Sequence, residues 1–179
     1  MSEICFGKPG VDVWSSTCTS LEHPPRCILD GNPKSFWAST GMFPQEIVIS
    51  LSGNSLIKTL SLMSIGIKRL EVLKCDTYSG STWSRLSLDE VDDADLQVQR
   101  LTPHFDDVNK ASLIKLRILD AYQDVVSIFK VSILGSPREE KVSSSPAAKD
   151  YRGSLSQRLS NSSKYQAKDG YTGPQLKPS

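Results

Sequence analysis

The chain has 179 residues, 38% of them hydrophobic, with a net charge of +1. That length suits one ordinary domain with a remainder. The balanced charge argues against the clustered basic face of a nucleic-acid binder, and no stretch approaches the ~18 consecutive apolar residues of a membrane span.

The first ten residues, MSEICFGKPG, contain an acidic Glu3 and no apolar run of signal-peptide length, so the chain is expected to be made and kept in the cytosol. There the four cysteines (Cys5, Cys18, Cys27 and Cys75) read as reduced thiols packed like small hydrophobes. No C-x-x-C pair occurs, which argues against a zinc or redox site.

Residues 1–135 read as strands. PQEIVISL (44–51) alternates with Ile47, Ile49 and Leu51 on one face, and IKTLSLMS (57–64) does so with Leu60 and Leu62. IKRLEVLKCD (67–76) alternates through Leu70 and Val72, WSRLSLD (83–89) pairs Leu86 with Leu88, and LQVQRL (96–101) alternates again. SLIKLRILD (112–120) sets Ile114, Leu116 and Ile118 opposite Lys115 and Arg117, and IFKVSILG (128–135) aligns Phe129, Val131 and Ile133. Each run has period two and ends in turn residues, and no amphipathic helix of three turns interrupts them. Alternation predicts antiparallel sheets with one solvated face. The expected fold is all-β, an antiparallel β-sandwich jelly roll of about eight strands.

The pattern stops after Gly135. Residues 136–179 hold ten serines and four prolines, and eight Lys/Arg against four Asp/Glu; residues 1–135 hold thirteen against sixteen. A segment so polar cannot bury enough apolar surface to offset its ordering entropy. We expect a jelly-roll domain over 1–135 and a disordered Ser/Pro/Lys-rich tail over 136–179. Ser143–Ser145, Ser154, Ser156, Ser160 and Ser162–Ser163 are candidate phosphorylation sites, where added charge reverses the sign of a basic segment; an inert extension is the alternative.

The stretch CILDGNPKSFW (27–37) sets turn-formers and oxygen ligands between apolar groups. Asp30 offers a carboxylate, Asn32 an amide oxygen and Ser35 a hydroxyl; Gly31 permits unusual dihedrals and Pro33 stiffens the turn. A hard cation such as calcium suits these oxygens. The helix–loop–helix calcium motif does not fit, because its sharp-turn glycine falls on Ser35 and its bidentate glutamate on Gly41. The other reading is a structural turn in which Asp30 caps nearby amides.

The wording of 23–51, HPPRCILDGNPKSFWASTGMFPQEIVISL, resembles the D-G-[ND]-x-x-[ST]-x-W segment of galactose-binding-like, discoidin-type jelly rolls. With its H-P-P, I-[IL]-D-G-N-P, F-W and T-G-M-F-P-Q-E elements, it is similar to the family of intraflagellar transport protein 25, which also bears a heat shock protein beta-11-like name. The resemblance is dense over about thirty residues, continues as strand pattern to Gly135 and is absent from the tail. It implies a heterodimer with a Rab-like small GTPase, intraflagellar transport protein 27, within the intraflagellar transport B complex and its other subunits. It also implies a location in the cilium or flagellum and in the cytoplasm near the basal body. It implies a structural Ca2+ held at Cys27, Asp30, Asn32 and Ser35. Asp30 is then the charged ligand, and Cys27, where relatives can have Asn, offers only its carbonyl. Related jelly rolls add a carbonyl, often with a Glu, from the last strand; here that stretch is 126–129, with no carboxylate.

Nothing points to catalysis: His23 and His104 are the two histidines, and G-x-S-x-G, H-E-x-x-H and a glycine-rich phosphate loop are absent. The acidic run LDEVDDADL (88–96) reads as a solvated loop, with a cation site or docking patch as the alternative. The alternative function is a calcium-dependent carbohydrate- or lipid-binding discoidin-like module. Trp14 is its candidate exposed aromatic, and Met42 and Phe43 its candidate apolar spikes, beside a Glu46 that disfavours anionic lipid. The heat-shock name alone suggests a chaperone, which the strand pattern does not support. A non-catalytic binding module is the leading expectation.

Overall fold

The computed structural model describes residues 2–4, 9–105 and 109–136. These residues form nine strands: β1 (Ser2–Glu3), β2 (Asp12–Ser16), β3 (Trp37–Ala38), β4 (Gln45–Ile65), β5 (Ile67–Cys75), β6 (Ser84–Glu90), β7 (Gln99–Leu101), β8 (Asn109–Ala121) and β9 (Ser127–Ser136). The one helical element among the described residues is a 3-10 turn over Pro25–Leu29.

Every strand pair is antiparallel. The 21-residue β4 organises the sandwich, because it belongs to both layers. Its first half, Gln45–Ser50, lies between β2 and β8, and β8 continues through β5 to β6. Its second half, Leu56–Ile65, lies between β9 and β7, while β1 and β3 both pair with β9. The register shifts between Ser50 and Ser55, where the strand turns the corner. The predicted runs 44–51 and 57–64 are therefore two arms of one strand.

Alternation does the packing. Ile47, Ile49 and Leu51 from one arm, Leu60 and Leu62 from the other, Leu70 and Val72 of β5, Ile114, Leu116 and Ile118 of β8, and Ile128, Val131 and Ile133 of β9 share one core cluster. Phe129, expected on the face of Val131 and Ile133, is outside it: the β9–β4 register shifts between Met63 and Ser64, which brings Ile128 into the core in its place. Full burial of each such side chain is worth roughly 1.5–3 kcal/mol, which is why a period-two pattern fixes the register.

Three further expectations shift. The run 96–101 pairs only from Gln99, because Asp95 and Leu96 take positive φ (48° and 63°) and turn the chain before the strand starts. The last strand extends past the predicted boundary at 135: Ser136 pairs with Leu56. The chains of β9 and β4 approach so closely here that a Cβ on Gly135 would overlap the Leu56 carbonyl. The third shift is at the amino end, where β1, β2 and β3 were not expected; β2 has a bulge at Trp14, which breaks its alternation. The segment proposed as a disordered tail lies outside the described residues, apart from Ser136.

Candidate functional site

The DGNPKS loop hangs between the 3-10 turn and β3. Trp37 roots it: the ring is fully buried, and its Nε1–H donates to the Cys18 carbonyl at 2.9 Å. Trp37 and Ala38 pair with Ile128 and Ser127 of β9. Phe36 stacks on His23, at 4.0 Å between centroids, and meets Phe129 at 5.5 Å with the rings tilted by 43°. Aromatic contacts and a buried strand pair thus hold the carboxyl end of an exposed six-residue turn, and the fully buried Ile28 of the 3-10 turn anchors its amino end.

Inside the turn, Asp30 is the hub. Its Oδ1 accepts the Asn32 N–H at 2.7 Å, and its Oδ2 accepts the Ser35 hydroxyl at 2.7 Å. Asn32 repeats the device one step on, with its Oδ1 accepting the Lys34 N–H at 3.0 Å. The Ser35 Oγ also lies 3.0 Å from the Asn32 carbonyl. Gly31, at φ 71°, makes the reversal possible. These are Asx-type closures, in which a short side chain imitates a backbone turn.

The structure therefore brings Asp30, Asn32 and Ser35 into one network. Cys27 sits at its edge and contributes through its carbonyl, which accepts the Asp30 N–H at 3.4 Å. The donors facing one another are all oxygens, the set a hard cation takes, and they carry one formal charge. Among the described residues no three His, Cys, Asp or Glu side chains gather as a metal cluster. The carbonyl of Val126 is engaged by Ser39: it accepts the Ser39 N–H at 2.9 Å, while the Val126 N–H donates to the Ser39 hydroxyl at 2.8 Å.

The other sequence candidates separate. His23 is part of the aromatic stack on Phe36. Trp14 is exposed on its bulge and lies over Tyr78 at 6.2 Å. Trp83 receives the Lys115 ammonium 4.4 Å from its ring centre. Met42 is exposed, but Phe43 packs against the core, so this tip carries one apolar spike rather than two. The acidic run spans the end of β6 and a surface loop; Asp93 Oδ1 accepts the Asp95 N–H at 3.0 Å, and Glu90 faces Arg69 at 3.9 Å. Cys18 and Cys75 are buried free thiols, Cys27 is a half-buried one, and Cys5 lies outside the described residues. The partnership of Phe36 with Phe129 had no sequence signal, since the two are distant in the chain.

Fold and loop together define a galactose-binding-like jelly roll. The chain is similar to a family 32 carbohydrate-binding module of Clostridium perfringens NanJ solved with galactose, with a TM-score of 0.58 and 16% identity over 69% of this chain and 92% of that one. It is also similar to chitosan-binding module 1 of a Paenibacillus chitosanase/glucanase, with a TM-score of 0.62 and 15% identity over 75% and 100%. At such identities the likeness shows the fold alone. No protein-family model matches.

The sequence relatives carry more. Intraflagellar transport protein 25 of Chlamydomonas reinhardtii is 30% identical over 136 residues, covering 75% of this chain and 70% of that protein. The Homo sapiens homolog is 28% identical over 137 residues, covering 75% and 92%. This chain belongs to the intraflagellar transport protein 25 family.

Proposed function

We propose that the chain is a non-catalytic subunit of the intraflagellar transport B complex, and that it pairs with a Rab-like small GTPase, intraflagellar transport protein 27. It works with the other subunits in the cilium or flagellum and in the cytoplasm around the basal body. The observation that supports this reading is the 136-residue similarity to the Chlamydomonas protein, which spans the domain rather than one motif. The chain supplies a rigid binding face and leaves nucleotide chemistry to its partner. A permanent pair of this kind buries at least ~1,200 Å².

The DGNPKS loop is, in this reading, a structural calcium site. Asp30 supplies the charge, Ser35 its hydroxyl oxygen, and Cys27 and Asn32 their carbonyls. The 2.7 Å approach of the Asp30 and Ser35 oxygens supports it. The ion's role is to staple a turn whose own hydrogen bonds already close it, so its loss loosens the loop without unfolding the sandwich.

The experiment is a pull-down with the tagged full-length chain from ciliated-cell extract, washed at high salt. Near-stoichiometric recovery of a Rab-like GTPase is expected. Recovery of glycans or lipids in place of any GTPase would leave only the fold in common with the family.

A further inference from the structure

Asp30 and Gly31 form the one Asp–Gly step among the described residues. Such a step carries its own chemistry. The Gly31 nitrogen attacks the Asp30 side-chain carboxyl carbon. The carboxyl, in its acid form, gives up OH and the amide gives up its hydrogen, so that one water leaves and a five-membered succinimide remains. Water then opens the ring at either carbonyl, which restores aspartate or yields isoaspartate, with the main chain routed through Cβ. No further reactant is needed. Gly31 favours the attack because no side chain shields its nitrogen. Asn32 has no such route, because it is followed by Pro33, whose nitrogen has no hydrogen to give up.

The turn depends on the same glycine, since φ is 71° at Gly31. The residue that lets the chain reverse is thus the one that makes the step labile. The folded geometry opposes the reaction. The ring closes only when the Asp30 Cβ and the Gly31 nitrogen are nearly eclipsed about the Cα–C bond. Asp30 has ψ −12°, so the Gly31 nitrogen nearly eclipses the Asp30 nitrogen instead, and tetrahedral geometry at Cα leaves Cβ about a third of a turn away. The carboxyl is held as well: Oδ1 accepts the Asn32 N–H and Oδ2 the Ser35 hydroxyl, each at 2.7 Å. Rotation about the Cα–C bond carries Asn32 and Ser35 away from the carboxyl, so both hydrogen bonds must break before the ring forms. Asp30, Gly31 and Asn32 are exposed, so water reaches the ring once it has formed.

We infer that Asp30 is a latent modification site: the Ser35 hydroxyl latches the Asp–Gly step shut, and the step converts to isoaspartate when the turn opens. Conversion lengthens the main chain by one carbon and leaves the carboxyl on Cα, out of place for the Asn32 N–H and the Ser35 hydroxyl. The turn then cannot reclose as before, and its opening is recorded covalently. Neither an ion nor the partner subunit enters into this chemistry.

The test is peptide mapping. The full-length chain is incubated with chelator at neutral pH and physiological temperature, both native and unfolded in guanidinium chloride. It is then digested with trypsin, and isoaspartate in the 27–34 peptide is quantified by chromatography and mass spectrometry. Native wild type is expected to convert at least about tenfold more slowly than the unfolded chain, because only the open fraction reacts. Ser35→Ala, shown by its melting profile to keep the sandwich, is expected to convert about fivefold faster than native wild type. Ser35→Thr keeps the hydroxyl and is expected to match wild type. A native wild type that converts as fast as the unfolded chain overturns the proposal. So does a folded Ser35→Ala chain that converts no faster than wild type. The comparison of native with unfolded wild type uses no variant, so it decides the matter even where Ser35→Ala fails to fold.

Discussion

The Ser35 hydroxyl donates to Asp30 Oδ2 at 2.7 Å, five residues back along the chain, and so ties the two ends of the DGNPKS turn together. The other carboxylate oxygen holds the Asn32 N–H. One side chain thus closes the loop twice, and the same atoms form the proposed calcium site.

Asp30→Ala is therefore expected to do two things. It removes both closures at a cost of roughly 1–2 kcal/mol, and it abolishes any calcium dependence of the melting temperature. Thermal melts with and without chelator check this. Wild type is expected to melt lower in chelator, and the variant to melt identically in both. A wild type indifferent to calcium would remove the ion and leave the turn.

Gly135 offers a sharper test of the fold. Its α-carbon faces the Leu56 carbonyl with no room for a Cβ. Gly135→Ala has to push β9 off β4 at the sandwich corner, and a loss of more than about 2 kcal/mol is expected in urea denaturation. A near-neutral result would contradict the close pairing of Gly135 with Ile57.

Trp37 anchors the loop from inside the core. Trp37→Phe keeps an aromatic ring but loses the bond to the Cys18 carbonyl and part of the packing. A loss of about 2 kcal/mol is expected in the same denaturation assay. The Ser16 hydroxyl still reaches the Cys18 carbonyl at 2.8 Å, which keeps the figure from growing.

The Lys68–Asp120 pair, at 2.9 Å, gives a small pH signature. The Lys68 hydrogen bond, then the Ala121 N–H, hold the Asp120 carboxyl below its ordinary range. A depressed carboxyl stabilises the fold above its unfolded value of about 4 and loses that contribution as pH falls through the folded one. Asp120 raises Lys68, whose contribution is complete below about 10.4 and is lost as pH rises through its folded value. The difference in stability between wild type and Asp120→Asn is expected to be small, greatest at pH 5–9, reduced toward pH 3 and screened by salt. A difference that grows on acidification would contradict this assignment.

Strand pattern and loop motif were legible for different reasons. In β8 the alternation of Ile114, Leu116 and Ile118 is unbroken and can be read directly, whereas the small outer cluster of Val48, Cys75 and Leu113 and the register shift that brings Ile128 into the core of β9 leave no period-two signal. β2 was hidden because Trp14 sits on a bulge, and β3 because two residues, Trp37 and Ala38, are too few to show a period. The premature start assigned at 96 failed because Asp95 and Leu96 spend two residues in the left-handed region, a local choice that apolar alternation does not report. At the site, the capping of a backbone amide by Asp30 followed from residue type and spacing, while the bond from the Ser35 hydroxyl to its second oxygen did not.

The central claim is a transport role, and the most direct measurement is live imaging of the fluorescently tagged full-length chain in a ciliated cell. The account predicts discrete particles moving processively along the cilium in both directions. A signal that stays diffuse in the cell body and never enters the cilium, from a tagged chain shown to be folded, would contradict it.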